Sequence, residues 1–282
     1  MLNKLIIRDR CFDWGQRTYL MGVLNVTPDS FSDGGEFNNT STALAQAQAM
    51  VAAGADIIDV GGQSTRPGAE QITLAEELNR VLTVLHVLRE KISVPISVDT
   101  TRASVAKASV EFGADIINDI SGGTFDSDML PTVASLDVPI VLMHTRGTPQ
   151  TMQQMTNYQD VVQEIISFLA QQIAIATTTG INPNKIIIDP GIGFAKNYEQ
   201  NLEIFRRLNL LKALNSPILV GASRKSFIGR ILNQPEPKAR VWGTAAACCA
   251  AIFNGADILR VHDVKEIGEV SLVADALFRQ SL

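Results

Sequence analysis

The nine residues AAGADIIDV at 52–60 return twice in altered form, as EFGADIIND at 111–119 and as FNGADILRV at 253–261. In each copy an apolar-periodic stretch meets Gly-Ala-Asp and then a short β-branched run. Gly54, Gly113 and Gly255 can each end a helix in the left-handed conformation, because a residue without a Cβ meets no steric penalty there. The run that follows is short and apolar, as a parallel strand covered on both faces should be. The stretch therefore spells helix, stop, strand, at three separated places in the chain.

Working outward, the same alternation continues. Strands are expected at 19–25, 56–60, 96–99, 115–119, 140–144, 185–189, 218–221 and 257–261. Helical patterns fall at 42–53, 74–91, 104–112, 158–177, 199–214, 225–231, 239–253 and 264–279, with a weaker helix around 128–135. Eight strand-helix units predict an α/β fold, a (β/α)8 TIM barrel, in one domain over 1–282. An open doubly wound sheet is the runner-up. It is weakened because no G-x-G-x-x-G follows the first strand. Residues 1–18 fall outside the count as an N-terminal extension, in which a β-hairpin is expected to close the bottom of the barrel.

Composition narrows the function. The chain has 282 residues, 46% hydrophobic composition, a formal charge of −5 and a pI near 5.3. That balance argues against a nucleic-acid partner. No apolar run is expected to span a bilayer, and MLNKLIIRDRCFDW at 1–14 lacks the pattern of a signal peptide. Cys11, Cys248 and Cys249 have no metal or redox spacing, so they are expected to be buried reduced thiols of a cytoplasmic protein. Trp242 and the other aromatic residues read as core, and His86 as structural.

A barrel should carry its functional groups at the C-terminal ends of its strands. Those places hold Asn25; Gly61 and Gly62 with Ser64, Thr65 and Arg66; Asp99; Asn118 and Asp119; His144 with Arg146; Asp189; Ser223, Arg224 and Lys225; and Arg260 with His262. Any one of them alone could be a turn former, but eight in phase point to a site. Two connections, NVTPDSFSDGG at 25–35 and GGQSTRPGAEQIT at 61–73, exceed the usual βα length of about 2–6 residues. They read as covers that order over a ligand, with Phe31 and Arg66 as contacts.

Asp99, Asn118 and Asp189 suit a flat heterocycle with amino and lactam edges, such as a pterin or a purine. Lys225, Arg260 and His262 supply positive charge to the last loops, where such barrels often bind phosphate. Asn25 could take one position on a Mg²⁺ that keeps its waters and binds a diphosphate. Asp263 could cap the final helix. Asp59 and Asp119 read as groups inside the barrel or supporting its rim.

The fragments NVTPDSFSDGG, GGQSTRPGA, SVDT, ND, DPGIGF, GASRKSFIG and RVHDV, in this order from about Met21 to Val264, resemble the dihydropteroate synthase family. The resemblance implies a barrel that joins (7,8-dihydropterin-6-yl)methyl diphosphate to 4-aminobenzoate, with Mg²⁺ as cofactor and a homodimer formed through the last helices. It implies that Asn25 meets Mg²⁺ and diphosphate, and that Asp99, Asn118, Asp189 and Lys225 face the pterin. Thr65, Arg260 and His262 would bind the diphosphate side. Phe31, Arg66, Pro67, Phe194 and Ser226 would form the 4-aminobenzoate site. The chemistry is expected to rest on Asp99, Lys225, Asn25, Arg260 and His262.

Three positions depart from the family pattern: Gln63 stands for Glu, Thr145 for Met and Ala195 for Gly. Two other classes compete. Pterin-dependent corrinoid methyltransferases share the pterin-facing acids and Asn, but need neither STRPG nor SRKSFIG. A degenerate pterin-binding protein would show substitutions among the principal rim residues, and none is seen.

Overall fold

The computed structural model describes residues 2, 4–26 and 36–279. Phe31 and most of the first long connection lie outside the described residues.

A hairpin opens the chain. Its strands β1 (Leu5–Ile7) and β2 (Arg10–Phe12) pair antiparallel. Eight parallel strands follow: β3 (Tyr19–Asn25), β4 (Ile57–Gly61), β5 (Ile96–Asp99), β6 (Ile116–Asp119), β7 (Ile140–Met143), β8 (Ile186–Asp189), β9 (Leu219–Val220) and β10 (Ile258–Val261). Their order is β8-β7-β6-β5-β4-β3-β10-β9. A parallel bridge between Ile188 and Ile218 joins the two ends, so the sheet closes. The helices alternate with the strands: α1 (Glu36–Ala52), α2 (Leu74–Lys91), α3 (Ala103–Glu111), α4 (Met129–Leu136), α5 (Val161–Thr179), α6 (Tyr198–Arg206), α7 (Ser226–Leu232), α8 (Val241–Phe253) and α9 (Val264–Phe278). This is the (β/α)8 barrel expected, with two helices after β9.

The repeated Gly-Ala-Asp stretch does more than stop a helix. Gly54, Gly113 and Gly255 take φ of +99°, +100° and +96°. The alanine N–H that follows each donates back across the helix end, Ala55 to Met50, Ala114 to Ser109 and Ala256 to Ala251, each at 2.9 Å. That is the closing bond of a Schellman cap. The aspartate then latches the neighbouring strand. Leu20, Ile96 and Ile218 donate their N–H groups to Asp56, Asp115 and Asp257 at 2.8, 2.9 and 2.9 Å. Arg17 holds Asp56, and Arg89 with Arg8 holds Asp115. One tripeptide thus ends a helix and sets the register of the strand beside it.

The barrel interior is apolar below and polar above. Leu5, Ile7, Phe12 and Trp14 pack against Tyr19, Met21, Ile57, Ile116, Val141, Ile187, Leu219 and Ile258. The rings of Phe12 and Tyr19 lie 4.8 Å apart, an aromatic contact that adds about 0.5–1.5 kcal/mol beyond its area. The hairpin therefore closes the bottom, as expected.

Four sequence expectations change. The stretch 199–214 is not one helix: α6 ends at Arg207 (φ −120°) and a 3-10 turn, Leu208–Leu214, follows. Helix α5 is long and apolar enough to cross a membrane by length and composition, although no such run was expected. It lies on the barrel, burying Val162, Ile165, Leu169 and Ala176. Cys11 is exposed, because it sits on the outward face of the hairpin, while Cys248 is buried. Trp242 is 75% exposed, because it projects from the outer face of α8.

Candidate active site

The copies of the repeat deliver their sixth residue to one place. Counting the glycine as first, that residue is Asp59 on β4, Asn118 on β6 and Arg260 on β10. Asp59 Oδ2 accepts from Arg260 Nε at 2.6 Å and from Asn118 Nδ2 at 3.1 Å. Arg260 Nη2 also donates to Asp99 Oδ2 at 2.9 Å. Both carboxylates are buried, and neither Asp59 Oδ1 nor Asp99 Oδ1 has a protein partner among the described residues. Burial pushes Asp99 up to about 7 against the pull of Arg260. Burial also opposes the Arg260 charge, but Asp59 and Asp99 outweigh it and hold its pKa above the ordinary value.

Asn25, at the end of β3, stands beside this group. A Cβ added to Gly61 would lie 3.6 Å from Asn25 Oδ1 and 3.7 Å from Asp99 Cβ. Asn25 and Asp99 thus both lie against the inward face of Gly61. Across the barrel, Asp189 accepts from the Gly191 N–H at 2.7 Å. Burial raises its pKa to about 6, against Gly191 and Lys225. Burial and the nearby Arg260 lower Lys225 to about 8, and its ammonium lies 4.4 Å from the Phe194 ring centre.

His262 is not a cation here. Burial, with Arg224 and Arg260 nearby, lowers its pKa to about 3. Ser223 Oγ lies 3.2 Å from the His262 backbone N and 3.0 Å from its Nδ1. The hydroxyl accepts the backbone N–H and still has a proton and a second lone pair for Nδ1, so it can meet the ring in either neutral tautomer.

Two rim expectations, for His144 and Asp263, are corrected. His144 turns toward the helix layer, edge-on to Phe168, because the side chain after inward-facing Met143 points outward. Lys196 Nζ holds it, lying 3.0 Å from His144 Nδ1 and donating to Phe194 O at 2.8 Å. Asp119 points away from the interior and takes the supporting one of its two expected places, folding the following turn by accepting from the Ser121 and Gly123 N–H groups, each at 2.8 Å. Asp263 sits at the start of α9 but makes no cap bond; its carboxylate takes Arg224 at 3.0 and 2.5 Å instead. Arg146 is tied to Glu164 and Tyr158.

The second long connection is fastened from within. Gln63 Nε2 donates to Ser64 O and Glu70 O, and its Oε1 accepts from the Ile72 N–H, all at 2.8 Å. Gly68 N–H reaches Pro149 O at 2.9 Å. A cleft beneath this connection is shared by Thr65 and Asp99 with Thr100, Ile120 and Phe125. The last three were missed from sequence because nothing in an isolated Thr, Ile or Phe marks it as pocket-lining. Arg66, Pro67 and Ser226 are exposed, and Phe194 is half-buried. Ala195 is buried with φ +50°, a conformation that favours glycine.

Among the described residues no three His, Cys, Asp or Glu side chains gather as a metal cage. Asn25 and Asp99 offer hard oxygen atoms side by side, a set that fits Mg²⁺ only where water and ligand oxygens complete its shell.

The sequence model of the family described as "Pterin binding enzyme" matches residues 21–262. A dihydropteroate synthase of Synechocystis sp. is 58% identical over 268 residues, covering 95% of this chain and 93% of its own. The crystal structure of a dihydropteroate synthase from Clostridium difficile in the presence of pteroic acid is similar at a TM-score of 0.91 and 46% identity, covering 95% of this chain and 100% of that one. A Xanthomonas albilineans dihydropteroate synthase with 4-aminobenzoic acid gives 0.91 and 39%, covering 98% of each chain.

Proposed function

The chain belongs to the pterin-binding enzymes as a dihydropteroate synthase of folate biosynthesis, and from this premise we propose how its rim divides the reaction. (7,8-Dihydropterin-6-yl)methyl diphosphate reacts with 4-aminobenzoate to give 7,8-dihydropteroate and diphosphate. Asp99, Asn118, Asp189 and Lys225 recognise the pterin. Thr65, Arg260 and His262 take the diphosphate, His262 as a neutral imidazole. Asn25 would hold Mg²⁺, which when bound neutralises charge on the diphosphate. Phe31, Arg66, Pro67, Phe194 and Ser226 receive 4-aminobenzoate, whose site forms as the two long connections close.

The C–O bond breaks before the amine attacks. The observation that carries this reading is the Asp99–Arg260 pair at 2.9 Å. It places a carboxylate and a guanidinium side by side at the rim, one to face the developing pterin cation and the other the departing diphosphate. The electron-rich dihydropterin can delocalise that cation. The aromatic amine is a weak nucleophile, and the acids Asp99 and Asp189 are committed to the pterin, which leaves neither as a dedicated base. The test is substrate with ¹⁸O in the bridging position, incubated with enzyme and Mg²⁺ but without 4-aminobenzoate. Scrambling of the label into non-bridging positions is expected. No scrambling and no slow diphosphate release would indicate direct displacement.

A second copy of the chain covers the face formed by α8 and α9. Trp242, Phe253, Leu272, Val273 and Leu277 are all exposed on these two helices, and exposed apolar side chains gathered on one face mark an interface. Light scattering should give twice the chain mass, and Leu272→Arg should shift it toward a monomer.

A further inference from the structure

Asp59 is absent from the residues assigned to substrate above, yet it is the acceptor on which two of them converge. It is fully buried in the middle of β4. One oxygen, Oδ2, receives both Arg260 Nε and Asn118 Nδ2. A carboxylate accepts and does not donate. The Asn118 amide can therefore present only its nitrogen to Asp59, which fixes its carbonyl and its second N–H at defined places toward the pocket. Without that partner the amide would be free to turn over, exchanging an acceptor for a donor. Arg260 is differently placed, because Asp99 also holds it, through Nη2.

We propose that Asp59 is a positioning residue for pterin recognition: it sets the face that Asn118 shows to the heterocycle, while the diphosphate-facing Arg260 keeps its orientation through Asp99. The place of Asp59 in the fold supports this. Asp59, Asn118 and Arg260 occupy the same position in the three Gly-Ala-Asp repeats, and the aspartate latches at the strand starts bring that position to one level on β4, β6 and β10. The proposal rests on the reading that Asn118 faces the pterin and Arg260 the diphosphate.

The experiment uses the full chain, with pteroic acid and inorganic diphosphate as separate calorimetric probes. Asp59→Asn is expected to weaken pteroic acid by about tenfold, the size of one lost charge-assisted hydrogen bond, and diphosphate by less than threefold. In steady state the KM for the pterin diphosphate should rise while the KM for 4-aminobenzoate stays put. Asp59→Glu keeps a carboxylate acceptor for the Asn118 amide and should retain more of the affinity than Asp59→Asn. Unchanged pteroic acid affinity in Asp59→Asn would overturn the proposal. So would equal losses for both probes, since that pattern is general damage to the barrel. If Asp59→Asn does not fold, Asp59→Ser is compared with the wild type by the same two probes, and unchanged pteroic acid affinity there overturns the proposal equally. Asn118→Ala and Arg260→Ala separate the two levels. Wild-type affinity for both probes in these variants removes the underlying site reading. Loss in them with none in Asp59→Asn removes only the role of Asp59.

Discussion

Asp59 and Arg260 stand 201 residues apart and meet at 2.6 Å, each occupying the same place in a copy of one short motif. The contact ties β4 to β10, which are not neighbours in the sheet but lie on either side of β3. A charge placed inside a barrel needs a partner of opposite sign, because unpaired burial costs several kcal/mol. Arg260 has two such partners, and the carboxylates outnumber it. The rim is therefore poised to gain from a cation, and its pH behaviour follows from that excess.

Asp99 and Asp189 should each contribute stability that grows as the pH falls from about 8 toward 6, with His262 opposing them below the ordinary imidazole value. Burial raises Asp99 to about 7 and Asp189 to about 6. At these two groups the native state then binds more protons than the unfolded chain between the ordinary carboxylate range and those values, so their stability is present below that window and declines as pH rises through it. Asp189→Asn should flatten the profile and add on the order of 1–3 kcal/mol at pH 8. The same change should weaken pterin binding by about tenfold or more. Thermal melts across pH and calorimetry with pteroic acid check both halves; wild-type pterin affinity would refute the assignment of Asp189.

His262 should stay neutral well below pH 6 in the absence of ligand. Its pKa is depressed to about 3, so it favours the folded state above the ordinary imidazole value and withdraws that support as the pH falls below it. Nitrogen chemical shifts of labelled histidine will report the charge. Ser223→Ala removes the hydroxyl that meets the ring and should lower kcat more than it alters 4-aminobenzoate binding. A ring that titrates near its usual value would count against this account.

Gln63→Glu should loosen the second long connection, although Glu is the residue the family resemblance leads one to expect. The two N–H donors that reach Ser64 O and Glu70 O would become a carboxylate facing two carbonyl oxygens. Each lost bond of this kind costs about 0.5–1.5 kcal/mol. The KM for 4-aminobenzoate should rise several-fold, and hydrogen exchange at Ile72 should accelerate. An unaltered KM would mean that this connection closes by other contacts.

Ala195→Gly should stabilise the fold. Ala195 has φ +50° in a buried turn, which costs an L-residue roughly 1–2 kcal/mol. Glycine removes the strain but gives back part of the gain through greater freedom in the unfolded chain. A net rise of about 2 °C in Tm is expected, read by calorimetry with kcat measured alongside.

The architecture is written locally along the chain. Each strand-helix unit carries its own signal: β-branched runs buried on both faces, and glycines whose positive φ is a local steric matter. Gly54, Gly113 and Gly255 needed no knowledge of the rest of the chain to be read as helix ends. The rim residues Asp99, Asn118, Asp189 and Lys225 were legible for a related reason, since strand ends in a barrel converge whatever their distance in sequence.

Direction and partnership come from the closed barrel. His144 and Asp119 stand at strand ends like their neighbours, yet the two-residue period of a strand turns them toward the helices. The neutrality of His262 arises from burial and from Arg224, 38 residues away, as well as from Arg260 in its own motif. Trp242 is apolar and was read as core, but it faces outward because the barrel has no second layer over α8. Asp59 gained its place through Asn118 and Arg260, 59 and 201 residues away. A hydrogen bond acts over about 3 Å, and only the closed sheet brings such distant residues within its reach.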